Sequence, residues 1–360
     1  MSGVYISYPF CGQKCSFCNF ASGVARTDDR QRYEAVLLNE IQSHRWEWNP
    51  ETLYFGGGTP SLMSPELLRA LMQAIPQGHM TETTLECAPG TINREAAEQW
   101  RDCGINRLSL GVQSFVTEEL RQTGRRHTAE TVERDVQLLR EIGLSNINID
   151  LIAGLPHQTA ASWEYSLDWI ERLAPPHVSV YIFEVDEDSR LGKELLLGGV
   201  RYGAAAVPNE DLVAELYERA VARLASLGLK RYEISNFARD GHRSRHNLKY
   251  WQLEPYIGFG LDAHSFDGRS RWSNPDTLEH YTSETEPEAL ATPAPSEEHF
   301  YVGLRLMDGI EPSPTEWSRF AQPIEKWTQA GMLERAGTRL RLTDRGVLLS
   351  NEIFQEFVNV

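Results

Sequence analysis

The sequence predicts an α/β fold with a parallel sheet, followed by a small C-terminal α+β domain of winged-helix type. Short apolar or β-branched segments recur six times before residue 190, and helical patterns lie between them. This alternation is typical of βαβ units, which build parallel sheets. The chain has 360 residues, of which 41% are hydrophobic, so it is long enough to bury a normal core. Periodicity alone leaves open whether the sheet closes into a barrel.

The six predicted strands are short segments of mainly apolar or β-branched residues. They are VYISY (4–8), TLYFGG (52–57), TLECA (84–88), RLSLGVQ (107–113), NINIDLIAG (146–154) and VSVYIFEV (178–185). The helices between them are predicted in RYEAVLLNEIQS (32–43), SPELLRALMQAI (64–75), NREAAEQWRDCG (93–104) and TAETVERDVQLLREIG (128–143). Ser64 and Asn93 are residue types that cap helix N-termini, and Gly104 is the type that closes a helix. A further helix over residues 210–228 has one apolar face, which we expect to pack on the sheet.

The C-terminal part changes in composition and then shows a second pattern. Pro, Thr, Glu and Ser predict a linker or exposed connection from about 275 to 297. Beyond it, a helix ending at Gly331, two short strands and a helix capped by Thr343 form a winged-helix pattern. Residues 297–360 carry seven Lys or Arg against ten Asp or Glu, a formal net charge of −3, and the whole chain has a charge of −16. Because such a surface repels phosphate, we expect a packing or lid domain and no nucleic-acid partner.

The N-terminus and the cysteine count indicate the compartment. No run of eighteen apolar residues occurs, and the first ten residues lack the basic and apolar regions of a signal peptide. We therefore expect a cytoplasmic protein without a membrane span. Of the five cysteines, three are crowded together, which in a reducing compartment more often indicates metal binding than disulfides.

Cys11, Cys15 and Cys18 follow the spacing C-x3-C-x2-C directly after the first predicted strand. Three thiolates spaced in this way can hold three corners of a cubane iron–sulfur cluster and leave the fourth iron open. The alternatives are a zinc site with a distant fourth ligand, or buried structural cysteines. Cys87 and Cys103 fit the last description, since they lie in apolar strand or helix contexts.

The cysteine motif resembles the signature of the radical S-adenosylmethionine (SAM) superfamily. This resemblance implies a 4Fe-4S cluster on Cys11, Cys15 and Cys18, whose open iron is chelated by the amine and carboxylate of S-adenosyl-L-methionine. The segment YFGGGTPS (54–61) is similar to a glycine motif that meets the methionine amine in that superfamily. The resemblance also implies a partial (β/α)6 radical SAM barrel, with its ligands at the C-terminal strand ends.

Nearly the whole chain is similar to the oxygen-independent coproporphyrinogen III oxidase family. The similar segments are YISYPFC, FGGGTPS, LECAPGTI, RLSLGVQSF, GRRHT and NIDLIAGLPHQT. The resemblance implies that S-adenosylmethionine is surrounded by Tyr5, Phe17, Gly57, Gly58, Thr59, Glu86, Gln113, Arg125 and Asp150. Carboxylates can accept hydrogen bonds from ribose hydroxyls or the amine, and an arginine can pair with a carboxylate. The alternative for any one of them is an ordinary polar residue at a strand end.

Two departures from this pattern favour the heme-chaperone branch of the family. The oxidases carry a fourth cysteine two positions after the third, where this chain has Phe20, and they have a long N-terminal extension, whereas the first cysteine here is at position 11. Smaller departures, Ser7 for the usual histidine and Asn19 for the usual aspartate, affect the cluster loop but not the ligand set.

The segment HNLKYW (246–251) matches a motif of the heme-chaperone branch. The match implies heme binding, with His246 as the candidate axial ligand and with Tyr250 and Trp251 beside the macrocycle. Neighbouring basic residues that could pair with propionates are Arg243, Arg245 and Lys249. Without the resemblance, a histidine beside aromatic residues is usually a satisfied core residue.

The resemblance implies three domains and a ranking of functions. We expect a radical SAM partial barrel over 1–235, a heme-binding and connecting region over 236–296, and a winged-helix-like domain over 297–360. The first hypothesis is a heme chaperone that passes heme to an unidentified acceptor protein, with no residue assigned as catalytic. The alternative is an oxygen-independent coproporphyrinogen III dehydrogenase that performs a radical oxidative decarboxylation. A redox-sensing winged-helix regulator would require tight DNA binding.

Overall fold

The computed structural model describes residues 2–283, 286–290 and 295–358. The strands in these ranges are β1 (Ser2–Tyr8), β2 (Pro50–Gly57), β3 (Glu82–Cys87), β4 (Arg107–Gln113), β5 (Ile147–Ala153), β6 (His177–Ile182), β7 (Lys230–Arg231), β8 (Asn236–Ala238), β9 (Tyr256–Phe259), β10 (His264–Phe266), β11 (Arg271–Ser273), β12 (Glu288–Leu290), β13 (Leu333–Ala336) and β14 (Arg339–Leu342). The helices are α1 (Thr27–Ser43), α2 (Pro65–Ala74), α3 (Arg94–Asp102), α4 (Thr117–Gln122), α5 (Ala129–Glu141), α6 (Ala160–Leu173), α7 (Arg190–Leu196), α8 (Glu210–Ser226), α9 (Arg245–Trp251), α10 (Leu278–Thr282), α11 (Pro295–Tyr301), α12 (Pro314–Arg319), α13 (Ala321–Gln329), α14 (Asp344–Leu348) and α15 (Ser350–Gln355). None of the helices in these ranges is long and apolar enough to cross a membrane.

The six predicted strands form the centre of one sheet. Strands β1 to β6 lie side by side in chain order and pair in parallel. The sheet continues beyond β1 through β9, β10, β11 and β12, and beyond β6 through β8 and β7. In the part of the chain that is described, its two outermost strands, β12 and β7, do not pair with each other, so the sheet stays open. The predicted α/β class and partial barrel are confirmed.

Three helices between the strands, α2, α3 and α5, begin where the sequence predicts them, whereas α1 begins at Thr27, before its predicted start at Arg32. The side chains of Ser64, Asn93 and Thr128 each accept a hydrogen bond from the backbone N–H three residues ahead, as N-cap residues do. These helices cover the outer face of the sheet, where Leu85, Leu108 and similar residues of the strands are buried. The outer layer therefore holds the hydrophobic core of the barrel.

The inner face of the barrel is polar. Residues paired across the inner face are Glu86 with Ser109, Ser109 with Asn148, and Asp150 with Ser179. The amide of Asn148 donates to Ser109 Oγ and to Asp150 Oδ1, both at 2.7 Å, and Ser179 Oγ donates to Asn148 at 3.2 Å. Strands of a parallel sheet with two packed faces are usually apolar on both. This polar face therefore marks a sheet that curves around a cavity.

Helix α9 docks at the amino-terminal ends of the first strands. The carboxylate of Glu82, at the start of β3, accepts hydrogen bonds from the backbone N–H groups of Arg245 and His246 and from Ser244 Oγ. A carboxylate at this position satisfies the free N–H groups of the helix N-terminus and complements its dipole. The start of the HNLKYW motif is thus fixed against the barrel, with the side chains of His246 and Lys249 buried.

The C-terminal domain has the predicted winged-helix order. Helix α13 precedes the antiparallel hairpin β13–β14, and Thr343 caps α14 by accepting a hydrogen bond from Gly346 N. Its core contains the mutually packed rings of Phe300, Phe320 and Phe357. The predicted helix, hairpin and capped helix are confirmed.

The predicted linker contains more structure than its composition indicates. Helix α10 lies within it, and β12 pairs with β11 at the edge of the sheet. Residues 284, 285 and 291–294 of the linker, and residues 359 and 360 of the last predicted domain, lie outside the described residues. Backbone pairing to an existing sheet edge supplies the order that local propensity does not predict. The division at 235/236 and 296/297 stays a prediction.

Candidate cluster and cofactor cavity

The three clustered cysteines line one large cavity at the carboxyl ends of the strands. Cys11 is 9% exposed, Cys15 and Cys18 are partly buried, and the cavity has a volume of about 1050 Å³. The loop is tied down by a hydrogen bond from Cys11 N to Gly23 O at 2.9 Å. Burial raises the pKa of the Cys11 thiol, while hydrogen bonds to Thr59 and Ser22 oppose that effect.

The donor set suits the predicted cluster. Three soft sulfur ligands on one loop, facing a cavity that also has polar walls, are what an iron–sulfur cluster with an open position requires. Within the described residues, no group of three His, Cys, Asp or Glu side chains is arranged to hold a single metal ion. Ligation of a cluster by Cys11, Cys15 and Cys18 stays a prediction.

The glycines after β2 hold the cysteine loop against the sheet. Gly58 N donates to Tyr8 O at 2.9 Å, and Thr59 N donates to Phe10 O at 3.0 Å. A Cβ atom at Gly58 would lie 2.6 Å from the carbonyl carbon of Pro9, and Gly57 has a φ of +103°. Gly58 therefore needs glycine for the close approach of two backbones and Gly57 for its positive φ, and both glycines line the cavity.

Two carboxylates stand on the inner face of the cavity. Glu86 accepts a hydrogen bond from Tyr54 OH at 2.8 Å, and Asp150 is bonded by Asn148 and Ser109. Burial, followed by repulsion from Asp150, raises the pKa of Glu86 to about 7 despite the bond from Tyr54. Burial also raises the pKa of Asp150. These two carboxyl groups are incompletely solvated, so a cationic ligand in this cavity would pair favourably with them.

Gln113 and Arg125 complete the polar rim. Gln113, at the end of β4, has a φ of +70°, and its buried Oε1 has no hydrogen-bond partner among the described residues. Arg125 donates to Gly111 O at 2.6 Å, while its buried Nε atom is also without a partner there. Buried polar atoms are nearly always paired in folded proteins, so a polar ligand in the cavity is the expected partner of these two atoms. A strained backbone at Gln113 is consistent with that interpretation.

The structure brings most of the predicted site residues together. Those that line the cavity are Cys11, Cys15, Phe17, Cys18, Gly57, Gly58, Thr59, Glu86, Gln113, Arg125, Asp150 and Trp251. Three do not line it: Tyr5, His246 and Tyr250. The ring of Tyr5 stacks on Tyr54, with centroids 6.1 Å apart, and Tyr54 OH donates a hydrogen bond to Glu86, which does line the cavity.

His246 is a fully engaged interior residue in this structure. It is 1% exposed, Nδ1 is 2.9 Å from Thr52 Oγ1, and Nε2 is 2.7 Å from Tyr250 OH. Its ring also stacks on Tyr54, with centroids 5.2 Å apart. Burial, together with the positive charges of Lys249 and Arg107, lowers the pKa of His246 to about 3. Axial ligation by His246 stays a prediction, and it would require at least one of these hydrogen bonds to break.

Two of the three basic residues near the motif have carboxylate partners outside the cavity. The ammonium group of Lys249 lies 3.0 Å from Glu51 and 2.7 Å from Glu254, and Arg243 lies 3.2 Å from Asp308. None of the three basic residues singled out from the sequence lines the cavity.

Two cations that line the cavity were not predicted. Arg126 follows the predicted Arg125 in sequence, and Arg305 lines the cavity together with Glu233 and residues of α14 and α15. No local pattern marks Arg305 and the residues that accompany it, because they reach the cavity only through domain packing.

Comparisons with known proteins agree with this arrangement. The radical SAM superfamily profile matches residues 5–170, and a HemN C-terminal domain profile matches residues 294–349. The chain is 31% identical to the heme chaperone HemW of Bacillus subtilis (strain 168), over 99% of each chain. It is 32% identical to the heme chaperone HemW of Lactococcus lactis subsp. lactis (strain IL1403), over 99% of this chain and 97% of that protein.

A solved structure shows the same fold. Coproporphyrinogen III oxidase (HemN) from Escherichia coli, a radical SAM enzyme, superposes with a TM-score of 0.83 over 99% of this chain and 90% of its own, at 22% identity. At that identity the similarity concerns the fold alone. The full-length identity to two HemW proteins is of a different kind, since it extends through the cysteine loop, the barrel and the C-terminal domain. The chain belongs to the HemW family of the radical SAM superfamily.

Proposed function

We propose that this protein is a heme chaperone, which binds heme in the large cavity and passes it to an acceptor protein. The observation that carries the proposal is that Trp251 of the HNLKYW motif and the three clustered cysteines line the same cavity. The relatives named as heme chaperones support it, since they match this chain over nearly its full length. A cavity of about 1050 Å³ is at the upper end of the range for ligand sites, which is consistent with two bound groups.

The proposal assigns the cysteine end of the cavity to the cluster and to S-adenosylmethionine. Cys11, Cys15 and Cys18 would hold a 4Fe-4S cluster, and that cluster would supply redox chemistry at its open iron. The chain's own contribution is binding and orientation: Glu86 and Asp150 match a cationic sulfonium ligand, and Arg125 can pair with a carboxylate. Gly57 and Gly58 allow the backbone to approach the ligand without a side chain between them.

Phe20 favours the chaperone over the decarboxylating enzyme. It stands where the oxidases carry a fourth cysteine, lines the cavity and is 64% exposed. An exposed phenylalanine beside a cavity is an apolar contact for a ligand or a partner protein rather than a metal ligand. The proposal also places the protein in the cytoplasm, where reduced cysteines can bind metal.

The proposal is tested by heme binding and transfer. The cluster is reconstituted anaerobically, heme is titrated while the absorption spectrum is recorded, and the loaded protein is then mixed with apomyoglobin as a probe acceptor. We expect saturable binding with one heme per chain and transfer to the acceptor. Accumulation of protoporphyrinogen from coproporphyrinogen III, without specific heme binding, would instead establish the dehydrogenase.

Variants of the His246 contacts separate ligation from packing. If His246 ligates heme iron, His246→Ala changes the heme spectrum, whereas Thr52→Val, which removes only the partner of Nδ1, leaves the spectrum of the bound heme unchanged. Unchanged heme spectra in both variants would remove His246 from the heme site. His264→Ala is the matched control, because His264 is exposed on β10.

A further inference from the structure

The cavity has a second group of lining residues, which belong to elements other than the cysteine loop. The cysteine loop follows the carboxyl end of β1, whereas α9 is bound at the amino ends of β1 to β3. Trp251 of α9 lines the cavity, as do Glu233, Arg305 and the first turn of α15. Glu233 lies in the turn between β7 and β8, and Ile234 N beside it donates a hydrogen bond to Arg305 O, so these groups adjoin one another on elements other than the cysteine loop. We call Glu233, Trp251 and Arg305 the distal cluster.

The distal cluster holds polar atoms that lack partners. Among the described residues, neither Arg305 Nε nor Trp251 Nε1 nor Glu233 Oε2 has a hydrogen-bond partner, although all three atoms are buried. Glu233 is 0% exposed, and its other carboxylate oxygen already accepts bonds from Ser235 N and Asn236 Nδ2. Buried polar groups are nearly always paired in folded proteins, so three orphans around one space indicate a ligand.

Arg305 is positioned to bind an anion. Its guanidinium lies over the Trp251 ring, 4.3 Å from the centroid. This contact holds the guanidinium plane in place and leaves the N–H groups at its edge able to donate hydrogen bonds. Its NH2 atom is 3.7 Å from Glu233 Oε2, too far for a hydrogen bond but close enough for charge compensation. Burial raises the pKa of Glu233, while the positive charge of Arg305 opposes that effect.

Other cations are engaged or lie elsewhere. The cationic residues among the described residues that line the cavity are Arg125, Arg126 and Arg305. Arg125 and Arg126 directly follow Gly124, which contacts Gln13 of the cluster loop, so they lie beside that loop. Lys249 is held between Glu51 and Glu254 outside the cavity. An anionic group at the distal cluster therefore meets Arg305.

We propose that Arg305 is the carboxylate anchor of the distal cluster, where its guanidinium binds a propionate of a tetrapyrrole lying between Trp251 and the C-terminal domain. The inference rests on the proposed function, because it takes the ligand to be heme. It adds a residue that sequence motifs do not mark, and it gives the C-terminal domain a part in enclosing the ligand. It also replaces Arg243, Arg245 and Lys249 as the propionate partners.

The test compares heme with heme dimethyl ester, whose two carboxylates are blocked. Both are titrated into the full-length, anaerobically reconstituted protein and into Arg305→Leu, Arg305→Lys and Arg243→Leu, with absorbance as the readout. Arg243 is the matched control, since it also lies over an aromatic ring and pairs with a carboxylate, but it does not line the cavity. We expect wild type and Arg243→Leu to bind heme about tenfold or more tightly than the ester. Arg305→Leu should bind the two alike, and Arg305→Lys should retain part of the preference.

Two outcomes would overturn the inference. If wild type binds heme but Arg305→Leu keeps its full preference for heme over the ester, Arg305 is not the anchor and the proposed function still stands. If wild type binds no heme, the proposed function fails and the anchor fails with it. Arg305→Leu could lower the melting temperature, because it leaves Glu233 unpaired. In that case the double variant Arg305→Leu/Glu233→Gln removes the unpaired carboxylate as well. The ratio of heme affinity to ester affinity in the double variant then shows whether Arg305 is the anchor.

Discussion

At the scale of single residues, the cavity is governed by buried groups whose charges are poorly solvated. Glu86 and Asp150 are carboxyl groups with raised pKa values, and His246 is an imidazole with a lowered one. Burial is the largest cause in each case, and it favours the neutral form of the group. These side chains form hydrogen bonds within the barrel, and a bound cation would favour the ionised form of the two carboxyl groups.

The raised pKa of Glu86 predicts how stability depends on pH. In the cluster-free protein Glu86 keeps its proton up to about pH 7, whereas in the unfolded chain it loses the proton near 4.5. The folded state therefore binds more protons between these values, and the free energy of unfolding falls as the pH rises through this window, by up to about 3 kcal/mol from Glu86 alone. Asp150, whose pKa is also raised, acts in the same direction.

Urea denaturation at pH 5, 6 and 7 measures this effect. Glu86→Gln should reduce the loss of stability over that range, because the variant cannot ionise at this position. Glu95→Gln, at an exposed position of α3, is the control and should follow wild type. An equal pH slope in wild type and Glu86→Gln would contradict the assignment of a raised pKa to Glu86.

The contacts of His246 predict a structural effect apart from any role in heme binding. His246→Ala removes two side-chain hydrogen bonds and a stacked ring from a buried site, so we expect a loss of about 2–4 kcal/mol in the free energy of unfolding. Thr52→Val should cost about 1 kcal/mol, since it removes one hydrogen bond at nearly constant volume. Denaturant titration at neutral pH measures both values. If His246→Ala lost less unfolding free energy than His264→Ala, at an exposed position, the buried hydrogen bonds of His246 would not stabilise the barrel.

At the scale of elements, the end of β2 and the cysteine loop act as one unit. The loop passes so close to the glycines after β2 that a side chain would collide with the backbone at Pro9. Hydrogen bonds from Gly58 N and Thr59 N to the start of the loop fix the two elements together. Placement of the cysteines thus depends on a neighbouring strand as much as on their own spacing.

This coupling predicts that Gly58→Ala lowers iron uptake. The added Cβ would meet the Pro9 carbonyl carbon at 2.6 Å, so the loop must shift and the thiols with it. We expect less iron bound per chain after anaerobic reconstitution and a lower melting temperature. Gly12→Ala is the matched control, because its Cβ would meet only Leu62 Cδ1 at 4.0 Å within the same loop. Equal iron content in the two variants would contradict the coupling.

At the scale of the whole molecule, the C-terminal domain belongs to the cavity rather than to a separate binding surface. Residues of α14 and α15 line the cavity together with the barrel. A winged-helix order is shared with many DNA-binding domains, but the net charge of −3 over residues 297–360 opposes the approach of phosphates.

We therefore predict that the full-length protein does not bind DNA at the protein concentrations at which DNA-binding regulators do. In fluorescence anisotropy with a labelled duplex at physiological salt, no saturable signal should appear below about 10 μM protein. A salt-dependent isotherm in the nanomolar range would assign the winged-helix domain a different role.

The sequence by itself determined the chemistry-bearing segments and the order of the elements. Six apolar segments became β1 to β6, the capped helices began at Ser64, Asn93 and Thr128, and the three-cysteine loop followed the first strand. These features depend on local periodicity, capping residues and spacing, which a linear chain displays directly. Membership of the HemW family likewise follows from motifs along the chain.

The tertiary structure alone decided which side chains share a space. It enclosed His246 between Thr52 and Tyr250. It also directed Lys249 to carboxylates outside the cavity, and it brought Arg305 beside Trp251. Apart from the contacts of His246 with Tyr250 and of Lys249 with Glu254, these contacts join residues tens to hundreds of positions apart, and no local pattern encodes them. Burial then set the pKa values, because desolvation is a property of the packed molecule and not of the residue.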